Sequence, residues 1–92
     1  MSFVSTYNAV TVQSSGSTLI LAANNERRGF VIKNNGGVII YIGFDANVST
    51  STGLVILPQD SMTINGDRVW RGAIYGIAAS STADVRYWEW AS

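Results

Sequence analysis

Val38-Ile39-Ile40-Tyr41-Ile42-Gly43-Phe44 is the most apolar run of the chain, and its reading decides the fold. It is shorter than the roughly 10–12 residues of a packed helix and rich in β-branched and aromatic side chains, so it reads as a strand. Side chains alternate across a strand. Val38, Ile40, Ile42 and Phe44 therefore line one face, and Ile39 and Tyr41 line the other. Both faces are apolar, whereas an antiparallel sheet with one side in water carries polar residues on that side. Directly before the run stands Asn34-Asn35-Gly36-Gly37, a hairpin signal, because Asn and Gly accept positive φ at little cost.

Strand signals extend in both directions. Upstream, 28–33 alternates with Phe30 and Ile32 on one side and Val31 on the other, 18–22 places Leu19 and Leu21 on one face, and Val10-Thr11-Val12 makes a first short strand. The polar stretch 22–28 is the only one suited to a helical turn. Downstream, 54–57 and 61–64 bracket the turn Pro58-Gln59-Asp60, and Asn65-Gly66-Asp67 leads into 69–71. The segments 74–79 and 83–90 follow around Ser80-Ser81-Thr82. Short strands separated by regular turn signals indicate a sandwich or barrel. The expectation is an all-β fold, a small antiparallel β-sandwich or barrel of about eight short strands with hairpin-length links. A polar N-terminal arm is expected over 1–12 and a single domain over 13–92.

The last strand repeats the pattern of 38–44. Arg86, Trp88 and Trp90 share one face, and Val85 and Tyr87 share the opposite one. A two-layer domain has no third layer to cover such second faces. A tightly curled barrel is one account of them. The other is burial against a copy of the chain or another subunit, since aromatic residues and arginine are enriched in interfaces.

Composition narrows the chemistry. The chain has 92 residues, no cysteine and no histidine. A core of this size is modest, and without disulfides or the commonest metal ligand the remaining staple is oligomerisation. The absence of histidine and cysteine also removes the commonest general base and thiolate nucleophile. Six basic residues balance six acidic ones, so no basic stripe exists for phosphates, and nucleic acid is not an expected partner. The segment Met1-Ser2-Phe3-Val4-Ser5-Thr6-Tyr7 lacks the pattern of a secretory signal. No apolar run approaches the ~20 residues of a membrane helix. A soluble, cytoplasmically made protein without membrane contact is expected.

The carboxylates Glu26, Asp45, Asp60, Asp67, Asp84 and Glu89 fall mostly in turns or beside an arginine. A glycosidase needs two of them facing across a cleft, and turn chemistry explains most of these. No enzyme activity, cofactor or metal is expected. Asp45-Ala46-Asn47-Val48-Ser49 resembles the start of a calcium loop, but it lacks the glycine at its sixth position and has Ile56 where the final acid belongs. Trp70, Trp88 and Trp90 with Tyr87 suit either a saccharide-stacking platform or an anchor for the core or a subunit contact.

The order of features resembles a group of small accessory proteins in the virions of tailed bacteriophages. It runs through Asn25-Glu26-Arg27-Arg28-Gly29-Phe30-Val31-Ile32-Lys33-Asn34, Ile40-Tyr41-Ile42-Gly43-Phe44 and Ser49-Thr50-Ser51-Thr52-Gly53-Leu54. Pro58-Gln59-Asp60-Ser61, Ala73-Ile74-Tyr75-Gly76-Ile77 and Val85-Arg86-Tyr87-Trp88-Glu89 complete it. The resemblance covers Leu19 to Trp90 and rests on fold-making residues. It implies a capsid cement or decoration protein: a homotrimer on the virion surface, made in the host cytoplasm, binding the major capsid protein and its own copies and stabilising the shell. Trp70, Arg86, Tyr87, Trp88 and Trp90 are the expected interface residues, with Phe3 and Tyr7 as arm anchors. The alternatives are a carbohydrate-binding module of a fibre and a connector in the tail or baseplate.

Overall fold

A computed structural model describes residues 4–91. Eight strands account for all regular structure among them: β1 (Val4–Gln13), β2 (Thr18–Leu21), β3 (Arg27–Asn34), β4 (Ile40–Gly43), β5 (Leu54–Ile56), β6 (Ser61–Asn65), β7 (Ile74–Ala78) and β8 (Thr82–Ala91). They form two four-stranded sheets, β1-β8-β3-β6 (sheet A) and β2-β7-β4-β5 (sheet B). Every pairing is antiparallel. The all-β sandwich expected from the strand pattern is what forms.

The strand order has a simple logic. β1 pairs with β8, β2 with β7, β3 with β6 and β4 with β5, so the chain is one long hairpin. Its tip is the 44–53 loop, and it is rolled up so that β3 also meets β8 and β4 also meets β7. This is the double-sheet jelly-roll arrangement. Only β4 and β5 are both consecutive and paired; every other link crosses between sheets.

That corrects the reading of Asn34-Asn35-Gly36-Gly37 as a hairpin turn. The strands it joins lie in different sheets, because Asn34 is tied elsewhere. Its backbone N–H donates to Asp60 O at 2.9 Å, and its C=O accepts from Gln59 N–H at 2.7 Å. Its buried side-chain amide donates to Val38 O at 2.7 Å and Ile56 O at 3.0 Å. Segment 69–71 is not a strand, because a side chain, and not a neighbouring strand, takes the carbonyl of Trp70. Leu19 and Leu21 do not share a face. A register shift separates them, leaving Leu19 45% and Leu21 2% exposed. The stretch read as an arm, 1–12, is from Val4 onward the outer strand of sheet A, in register with β8 from Val4 opposite Ala91 to Gln13 opposite Thr82.

The core lies between the sheets. Phe30 and Ile32 of β3, Ile40 and Ile42 of β4, Ile74 of β7, Val12 of β1 and Val85 of β8 are closed to solvent or nearly so. Burial of each larger side chain contributes about 1.5–3 kcal/mol. At one end of β3 the core is closed by a charge. Arg27 is 0% exposed. Its Nε donates to Glu89 on β8, Nη1 to Trp70 O at 2.7 Å and Gly72 O at 2.9 Å, and Nη2 to Ala22 O at 2.7 Å. A buried guanidinium is tolerated only when paired and hydrogen-bonded. Here it also ties the β2–β3 and β6–β7 links to the sheet.

Candidate protein-binding face

The inward side of sheet A takes Val10, Val12, Ala83, Val85, Tyr87, Phe30, Ile32, Met62 and Ile64. By alternation, the intervening residues stand on its outer side, and the strand register arranges them in rows. Tyr7, Trp88, Val31 and Thr63 lie abreast across the four strands, with Ser5, Trp90, Gly29 and Asn65 on one side of them. Ala9, Arg86, Lys33 and Ser61 lie on the other.

The central row is aromatic. Tyr7 is 76% and Trp88 53% exposed, their ring centroids 6.4 Å apart with planes at 70°, an edge-to-face geometry. Tyr7, Ala9, Val31, Lys33, Arg86 and Trp88 help line an open groove of about 610 Å³, and a second hollow runs on past Ser5 and Trp90. The Trp90 ring lies where a β-carbon at Gly29 would stand. The glycine is therefore what lets the indole lie flat across β3.

Charge borders the groove without filling it. The Arg86 Nε is 3.2 Å from both Asp84 carboxylate oxygens, and Nη2 is 2.9 Å from Oδ2. Asn35 Nδ2 also donates to Asp84, at 3.0 Å. The hydrogen bond from Arg86, followed by that from Asn35, holds the Asp84 carboxyl below its usual range, and Asp84 in turn raises Arg86. Both groups are exposed, so the pair orients the guanidinium more than it stabilises the fold.

The expected interface residues therefore separate. Tyr7, Arg86, Trp88 and Trp90 come together on the outer face. Tyr87, from the same strand, packs partly buried against the core and also borders the groove. Trp70 sits in the β6–β7 link, stacked on Phe44 at 4.6 Å and 13°, its indole N–H donating to Ala73 O at 2.9 Å. Phe3 lies outside the described residues. Val31 and Lys33 belong to the face, although composition alone does not single them out. Their alternation with Phe30 and Ile32, applied to the outer side, is the signal that finds them.

Elsewhere, the loop that begins like a calcium site is a turn held by its own hydrogen bonds and by Ser17, whose hydroxyl donates to Ala46 O at 2.8 Å. Asp45 Oδ1 accepts the Asn47 N–H at 2.9 Å, and Val48 is buried. Among the described residues no group of three or more His, Cys, Asp or Glu side chains is placed to hold a metal.

No protein-family model matches the chain, and no curated protein matches it in sequence. Among solved structures it is similar to a chain from Bacillus endospore appendages, described as a family of disulfide-linked pili. The TM-score is 0.56 at 17% identity, covering 98% of this chain and 88% of that one. The likeness is one of fold.

Proposed function

We propose that this chain is a non-enzymatic structural subunit of a phage virion, a cement or decoration protein that binds the shell as an oligomer and stabilises it. The observation that carries the reading is the outer face of sheet A, where Tyr7, Trp88 and Trp90 stand beside Val31, the first two largely in solvent. Exposed aromatic side chains bordered by polar ones are the composition of a protein interface. Jelly rolls occur in capsid proteins and lectins, and a fold alone assigns no function. The fold neighbour comes from pili described as disulfide-linked. This chain has no cysteine, so its contacts rest on surface complementarity, and many weak contacts repeated over a shell give firm attachment.

The test mixes purified protein with shells that lack it. Binding and a higher shell melting temperature are expected, and both should fall with Trp88→Ala. Failure of the parent protein to bind any shell would remove the capsid assignment.

A second reading, saccharide binding on a fibre, draws on the same groove, which Lys33 and Arg86 line together with Trp88. It expects a saccharide whose affinity drops with Trp88→Ala and is unchanged by Trp70→Ala.

A further inference from the structure

The outer edge of β1 stands apart from the other three sheet edges. Natural proteins protect edges with short strands, charges, prolines or bulges. β2 has four residues and a register shift. β5 has three, with Pro58 shortly after it. β6 has five, between turns that carry Asp60 and Asp67. β1 has ten residues, Val-Ser-Thr-Tyr-Asn-Ala-Val-Thr-Val-Gln, with no charge, proline or glycine. Its first six, from Val4 to Ala9, are all exposed, so neither sheet B nor any other described element covers them.

The hydrogen-bond pattern shows which backbone groups are open. The Ser14 N–H donates to Ser81 O at 3.1 Å, continuing the register in which β1 and β8 pair. Antiparallel strands alternate in the side to which they bond, so even-numbered residues of β1 face β8 and odd-numbered ones face away. Ala9 and Gln13 agree: their N–H groups bond side chains, Asn8 Oδ1 at 2.8 Å and Thr18 Oγ1 at 3.3 Å. The N–H and C=O groups of Ser5, Tyr7 and Thr11 thus point to the open side, and the N–H of Ala9 is held only by its neighbour's amide.

We infer that this edge pairs with the same strand of a second copy, antiparallel and centred on Asn8, continuing sheet A across a two-fold axis. The inference rests on the reading of the chain as a self-associating subunit and names the contact. Gln13 is already engaged by Thr18, so pairing ends at Thr11. Ser5 then faces Thr11 of the other copy, and Tyr7 faces Ala9, a large side chain beside a small one. No charge meets a like charge, which fits a strand paired with itself. An axis normal to the sheet puts the Tyr7, Trp88 and Trp90 faces of both copies on the same side, doubling the platform offered to the shell. The unit is a dimer, in contrast to the homotrimer implied by the resemblance.

The chain has no cysteine, so single cysteines report the register without background. In the paired strands Asn8 faces its own copy across a non-hydrogen-bonded position, with α-carbons about 4.5 Å apart, within disulfide range. Asn8→Cys should give a covalent dimer under mild oxidation at least tenfold faster than Thr6→Cys, whose partner position is Val10. Ala9→Pro should leave the β8 pairing intact and convert the dimer to monomer by sedimentation. Equal cross-linking of the two cysteine variants, a trimer, or an oligomer indifferent to Ala9→Pro would overturn the edge contact while leaving the structural-subunit reading in place. A parent protein that is monomeric and binds no shell would overturn both.

Discussion

The inner and outer sides of sheet A are built from the same four strands and differ in what their side chains can do. On β8, Ala83, Val85, Tyr87 and Glu89 turn inward, where Val85 is closed to solvent and Glu89 completes the partner set of Arg27. Asp84, Arg86, Trp88 and Trp90 turn outward within the same ten residues. Folding uses the first set and leaves the second free to meet a partner. The difference teaches that an aromatic residue in a small β-domain is not by default a core residue. Trp88 lies more than half in water while a charged arginine sits in the interior, because the fold supplies acceptors for the guanidinium and no second layer for the indole.

On this division, inner-face changes are read in stability and outer-face changes in association. The largest effect is expected from Arg27→Met. It leaves Glu89 and three backbone carbonyls without their donor and should cost about 3–5 kcal/mol in urea unfolding. The double variant Arg27→Met with Glu89→Leu should recover some of that loss; no recovery would mean that tying the links, and not the stranded charge, sets the cost. Ile32→Ala should cost about 2–5 kcal/mol through the cavity it opens.

Trp88→Ala, on the outer side, should cost only about 0.5–1.5 kcal/mol, the scale of its aromatic pair with Tyr7. On the proposed function it should nonetheless weaken shell binding. A stability loss matching that of Ile32→Ala would break the division. The smallest effect concerns pH. Pairing lowers the Asp84 pKa below its ordinary value, so its contribution is complete above that value and is lost as pH falls through the folded-state pKa. Parent and Asp84→Asn should therefore converge in unfolding midpoint at acid pH and differ slightly at neutral pH. The difference should shrink further in salt because both charges are exposed.

Much of the fold is legible in the sequence because alternation is local. Phe30 and Ile32 against Val31, and Val85 against Trp88, follow from counting by two. Pairing is not legible, because Asn34-Asn35-Gly36-Gly37 has the composition of a tight hairpin, and only the distant Asp60, Gln59 and Ile56 reveal a crossing between sheets. Arg27 reads as one more residue of a polar stretch. Its burial depends on carbonyls at positions 70 and 72 that no local pattern announces. Grouping the three tryptophans as one platform fails for the same reason. Trp88 and Trp90 are bound together by strand period, whereas Trp70 is placed by the link that Arg27 holds.

The nested pairing of strands also has a mechanical meaning. Val4 lies opposite Ala91, so a load pulling the two ends of the described chain apart acts on the first rung of the β1–β8 ladder. Bonds in that geometry break in succession, as in a zipper, and do not share the force. Peeling would then run inward through the successive pairs toward the β4–β5 tip, the one pairing between neighbours in the chain and the first that a refolding chain can close. A strand laid against the free edge of β1 changes the direction of loading. It bonds several rungs side by side, so tension between copies is borne in shear by the whole strand and not at its end.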